Sequence, residues 1–94
     1  MVVNFPDRDK SVRDFEAAVV RTSTDLGRVI RRRRKALGLD IIAAASACGI
    51  GVRFLSELER GKATAQIGRT LQVMQRLGIE VAARPRGDAR MSSH

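Results

Sequence analysis

Glycines at positions 38, 49, 61 and 78 cut the middle of this chain into short segments, and each closes a run whose apolar residues recur at helical spacing. The stretch "DLGRVIRRRRKALG" has Leu26, Ile30 and Leu37 along one side, Thr24 or Asp25 able to cap its start, and Gly38 to stop it. "DIIAAASACG" reads as a second helix, with Asp40 as its N-cap and Gly49 as its break; its alanines permit a neighbouring helix to approach closely. Gly51 then opens a third helix, "VRFLSELER", closed by Gly61. A fourth runs from about Ala65 to Leu77, with Ile67, Leu71, Met74 and Leu77 as its expected apolar face. Helices this short cannot bury their stripes alone and must pack into a small bundle.

The pattern changes after Gly78. Ile79, Val81 and Ala83 alternate with Glu80, Ala82 and Arg84, a period of two that predicts a short strand ended by Pro85. A lone strand in a helical domain has unpaired backbone groups, and the simplest expected partner is its copy in a second subunit. At the other end, residues 1–10 contain Pro6 and read as an irregular arm. Ser11 followed by Asp14 resembles a capping signal, and Val12, Phe15 and Val19 supply the stripe of a short helix. The expected organisation is an arm with this short helix (1–22), a helical domain (23–78), a dimerisation strand built on Ile79, Val81 and Ala83 (79–86), and a disordered tail (87–94). The fold class is mainly α: a bundle of four to five helices with a short C-terminal strand, paired across a dimer.

The chain has 94 residues, so one domain with a modest core is expected, and dimerisation would add stability. Its formal charge is +8, from 18 basic and 10 acidic residues, which points to a polyanionic partner. Residues 21–62 alone hold ten basic and four acidic residues, whereas residues 1–20 hold three and four. The excess lies where the helical pattern is strongest. Cys48, the single cysteine, has no internal disulfide partner and fits a reducing cytoplasm as a small core residue. No apolar run approaches about 18 residues, and "MVVNFPDRDK" lacks a signal-peptide layout, so a cytoplasmic location is expected. There is no cluster of metal-ligand spacing, no glycine-rich phosphate loop and no nucleophile beside a base. The expectation is therefore a non-enzyme without metal or cofactor. A membrane-surface peptide would explain the arginine run but not two successive capped helices and a late strand.

One residue is out of place. Glu59 follows Leu55 by four positions and shares the buried stripe of Leu55 and Leu58, so a carboxylate is set against the core.

The two short central helices, the turn at Gly49, the preceding basic helix and the closing "LERGK" together resemble the phage-repressor-type (XRE, or Cro/C1-like) helix-turn-helix family over residues 25–78. The resemblance implies that Arg34, late in the first helix, pairs with Glu59. A two-pronged guanidinium would satisfy that carboxylate. It also implies that the third helix enters the DNA major groove. Val52, Arg53 and Glu57 are then the expected base-contacting residues. Val52 would meet a thymine methyl and Arg53 a guanine. Glu57 would either accept from a cytosine amino group or orient Arg53. Gly51, Ser56, Arg60, Lys62 and Arg69 are the expected backbone contacts. Phe54 is placed in the core or against a base. Ile41 and Ala44 stand where the family often has Gln and Leu, which leaves the second helix's DNA contacts open.

"RRRRKALGL", "GVRFLSELERGK" and "LQVMQRLGIEV" narrow the resemblance to the HipB branch. That branch implies a homodimer on a palindromic DNA operator. It also implies autorepression as the antitoxin of a type II toxin–antitoxin system, with a HipA-type kinase toxin as partner. The alternative is a solitary XRE-family repressor without a toxin. The role of residues 1–22 is open: toxin contact, embrace of the other subunit, or none.

Overall fold

The computed structural model describes residues 1–6 and 15–85. Seven elements follow in order: β1 (Val2–Pro6), β2 (Phe15–Val19), α1 (Ser23–Ala36), α2 (Ile41–Cys48), α3 (Val52–Glu59), α4 (Ile67–Arg76) and β3 (Glu80–Ala82). The four helices surround a core whose fully buried side chains include Ile30, Leu55, Met74, Val73, Cys48 and Val3.

The N-terminal region departs from expectation. Residues 15–19 form a strand, not the last turn of a short helix, and β2 pairs antiparallel with β1 in the register Val2↔Val19 to Pro6↔Phe15. The Ser11–Asp14 capping reading lies outside the described residues. The hairpin is tied at its base, where Val20 N–H donates to the Met1 carbonyl at 2.7 Å. Val3 enters the helical core with no exposed surface.

This hairpin also changes the account of the late strand. β3 has a partner within its own chain: the sheet order is β2–β1–β3, with Val3 opposite Val81. Its backbone groups on that side are therefore satisfied without a second copy. The strand is shorter than expected. Ile79 precedes it and is buried in the core, Val81 is half-buried within it, and Ala83 lies beyond it, exposed.

The helices begin and end for local reasons. Thr22, rather than Thr24 or Asp25, caps α1. Its hydroxyl accepts from Asp25 N–H at 3.0 Å, and the Asp25 carboxylate accepts from the N–H groups of Thr22 and Arg21, at 3.2 and 3.0 Å. This reciprocal box satisfies donors that the first helical turn leaves free. Leu26 and Ile30 of α1 are buried, whereas Leu37 is 43% exposed. The buried face of α4 is Thr70, Val73 and Met74, continued by Leu77; Ile67 and Leu71, expected inside, are 64% and 45% exposed. Thr70 can occupy the interior because its hydroxyl donates to the Gln66 carbonyl at 2.8 Å, one turn back.

Candidate nucleic-acid interface

The site is built on the α2–α3 pair. Asp40 caps α2 by accepting from Ala43 N–H at 2.7 Å. Gly49 ends it in the left-handed region at φ 71°, which only glycine adopts without strain, and the chain bends by 110° into α3. Gly51 caps α3 without a side chain. Its N-terminal turn is thus uncovered, and nothing lies within 4 Å of where a β-carbon would project from Gly51.

Leu55 and Leu58 bury one side of α3. The other side carries Val52, 41% exposed, and Arg53, whose side chain is 91% exposed. Glu57 lies between two cations: Lys62 Nζ donates to it at 3.0 Å and Arg53 Nε, more weakly, at 3.4 Å. The hydrogen bond from Lys62 is the chief reason that its carboxyl is held below the usual glutamate pKa. Glu57 therefore links Lys62, beyond the helix end, to Arg53 on the first turn. Ser56 beside them is half-buried, and Gly51, Arg60 and Arg69 are exposed. Arg69 comes from α4; its guanidinium carbon lies 5.8 Å from the centre of the Phe54 ring, which packs half-buried against the core.

The misplaced Glu59 has a partner. Arg34 Nε and one terminal nitrogen donate to its two carboxylate oxygens at 2.7 and 3.0 Å, and the other terminal nitrogen donates to the Leu39 carbonyl at 2.9 Å. The two side chains are only 11% and 7% exposed. The hydrogen bond to Glu59 is the leading reason that the Arg34 pKa is raised. This clasp fixes α3 against α1 and against the turn before α2, so the angle at which α3 presents its outer face is set by a side chain on another helix.

Several positioning contacts were not foreseen. Arg33 Nε donates to the Leu77 carbonyl at 2.8 Å and so caps α4. Two adjacent arginines of the run "RRRR" thus work inside the fold. Gln72 donates to the Cys48 carbonyl at 2.7 Å and Arg76 to the Ala47 carbonyl at 3.1 Å, satisfying the end of α2 from α4. Ser23 donates to the Gly61 carbonyl at 2.8 Å, joining the start of α1 to the loop that carries Lys62. Burial and the loss of solvation that goes with it raise the Cys48 thiol pKa, as suits a packing residue. Among the described residues, no single helix is long and apolar enough to cross a membrane.

α3 thus carries Val52 and Arg53 exposed on its first turn, with Glu57 half-buried between Arg53 and Lys62, a cation past the helix end. Residues 30–83 match the family model HTH_3, a helix-turn-helix. The chain is also 41% identical, over 71 residues, to an "uncharacterized HTH-type transcriptional regulator y4mF" of Sinorhizobium fredii, an alignment covering 76% of this chain and 93% of that relative.

Proposed function

Since this chain belongs to the XRE-type helix-turn-helix family of DNA-binding transcriptional regulators, we propose that it is an autorepressing antitoxin of the HipB kind. In this reading it acts as a homodimer on a palindromic operator and binds a HipA-type kinase toxin. α3 enters the major groove. Arg53 and Val52 meet base edges, with Glu57 orienting Arg53, and Gly51, Ser56, Arg60, Lys62 and Arg69 follow the sugar-phosphate track. The observation that carries the DNA side is the exposed Arg53 on a helix whose orientation is clamped by Arg34 and Glu59. The toxin side is supported by the segments "RRRRKALGL" and "LQVMQRLGIEV" and by a strand following the last helix.

The outer edge of β3, away from β1, supports strand pairing between two protomers. A solitary regulator is the second reading. It is favoured by β1, which already gives β3 a partner within the chain. Co-expression with the neighbouring reading frames, followed by purification and sedimentation, separates the two. A kinase-like protein co-purifying with a dimer supports the antitoxin. A protein that binds its own promoter duplex and retains no neighbour supports the solitary regulator.

A further inference from the structure

α3 carries two carboxylates, and the fold treats them differently. Glu59 is turned inward to Arg34. Glu57 follows the exposed Arg53 by four residues, and its carboxylate is shared. One oxygen accepts from Lys62 Nζ at 3.0 Å and the other from Arg53 Nε at 3.4 Å. A surface ion pair is ordinarily worth little, because two long side chains must be ordered to form it. Here the backbone has done part of the ordering. Lys62 N–H donates to the Glu57 carbonyl at 3.1 Å and Gly61 N–H to the Leu58 carbonyl at 3.0 Å. These paired bonds close a helix through a left-handed glycine, and Gly61 has φ 89°. Ser23 holds the Gly61 carbonyl from α1, and a β-carbon on Gly61 would stand 2.8 Å from the Thr24 α-carbon. Lys62 is thus delivered to Glu57 by main-chain bonds as well as by charge, and the Glu57 side chain is 28% exposed.

We propose that Glu57 is a specificity-determining residue, one that penalises binding to every DNA sequence and is compensated only where a cytosine amino group stands opposite it. The inference deepens, and rests on, the DNA-reading role proposed for α3. Non-specific affinity comes from cations that displace counterions from phosphates. Arg53, Lys62 and Glu57 together carry one positive charge instead of two, so the cluster displaces about one counterion fewer on any duplex. The carboxylate is ionised at neutral pH, its pKa lowered first by the hydrogen bond from Lys62. With a formal charge of +8, the chain has a general attraction for polyanions; discrimination also needs a repulsive element, and Glu57 supplies one. Each carboxylate oxygen keeps a second lone pair, so Glu57 can accept from a base without releasing Arg53. Cytosine N4 is the donor that a carboxylate reads in the major groove. Where that donor is absent, nothing offsets the charge.

The test uses the full chain, random-sequence duplexes and a duplex that wild type enriches from a random library. Glu57→Gln keeps the size of the side chain and removes its charge. With an unchanged melting temperature, it should bind random duplexes about five- to tenfold more tightly per protomer at about 0.1 M salt, with a salt slope steeper by about one ion. On the enriched duplex it should gain less than twofold, because the base contact is lost with the charge. A second measurement needs no variant. Pyrimidin-2-one lacks the amino group of cytosine; placed at each enriched cytosine in turn, it should weaken wild type about fivefold or more at one position. Glu57→Gln, where it folds as wild type does, should be indifferent at that position. Equal gains on both duplexes would make Glu57 a general repulsive charge and overturn the proposal. Unchanged binding to random duplexes with weaker binding to the enriched one would leave Glu57 only orienting Arg53, and overturns it too. So does a wild type indifferent to the analogue at every cytosine. If wild type enriches no sequence at all, the DNA-reading role of α3 fails and this proposal with it; the other outcomes strike Glu57 alone.

Discussion

Gly27 lies so close to the end of α3 that a β-carbon on it would stand 2.6 Å from the Leu58 carbonyl oxygen and 2.5 Å from that of Glu59. These are backbone atoms, which cannot rotate aside. Gly27→Ala, a change that stabilises most helix interiors, should here force α1 and α3 apart and cost about 1–3 kcal/mol or more. Chemical denaturation measures the loss. A variant as stable as wild type would mean that the two helices can separate freely.

The Arg34–Glu59 clasp adjoins that contact. Removing either partner leaves the other nearly buried and uncompensated, at a cost of about 3–5 kcal/mol. Arg34→Ala and Glu59→Ala should each lower the melting temperature. The double variant should lose much less than the sum of the two, because no lone charge remains. Additive losses would show that the residues act separately.

Arg53→Ala should lose discrimination between an operator and a scrambled duplex, by about 1–3 kcal/mol for a two-pronged guanine contact. Lys62→Ala should weaken both duplexes alike and lower the salt slope by about one ion per site. Titrations at several salt concentrations distinguish the two. Equal losses on both duplexes for Arg53→Ala would remove it from base reading.

Acid should loosen the start of α1. The Asp25 carboxyl is held below its ordinary pKa, first by the hydrogen bond from Arg21 N–H, against a smaller opposing loss of solvation, and with the help of Thr22 and Arg28. A lowered folded-state pKa means a contribution fully present above the unfolded value and lost as pH falls through the folded one. Melting temperatures measured downward from pH 6 should therefore fall less steeply for Asp25→Asn than for wild type. Thr22→Ala should cost about 1 kcal/mol at neutral pH. Parallel pH profiles for Asp25→Asn and wild type would show that the box adds nothing.

Val3 has no exposed surface, so Val3→Ala should cost about 1–2 kcal/mol if the hairpin is part of the folded unit. A neutral result from thermal melts would make residues 1–19 an appendage.

The helical order was legible because its signals are local: Asp40 and Gly49 bound α2 in sequence as they do in space. Glu59 was legible because a carboxylate on an apolar stripe demands a partner. What escaped depended on distant residues. "FEAAV" supports either period, and its strand partner is a five-residue segment, ending in Pro6, that reads alone as an arm. The lone-strand reading of Ile79–Arg84 failed for the same reason. The α4 stripe was placed a fraction of a turn off because Thr70 counts as polar until its bond to Gln66 is seen. The close contact at Gly27 joins residues more than thirty apart, and nothing near it in the chain reveals what it touches.

The bonds from Gln72 and Arg76 to the last carbonyls of α2 bear on how freely the α2–α3 pair could be moved between proteins. A segment cut before Asp40 and at Gly61 would carry both helices and their turn, yet leave Ala47 and Cys48 without the groups that complete them and Glu59 without its arginine. Transplanting only α2 and α3 into another scaffold should transfer the letters of recognition without the posture. A portable unit must extend at least from Thr22 to Leu77, and the buried Val3 and Ile79 lie beyond even those limits.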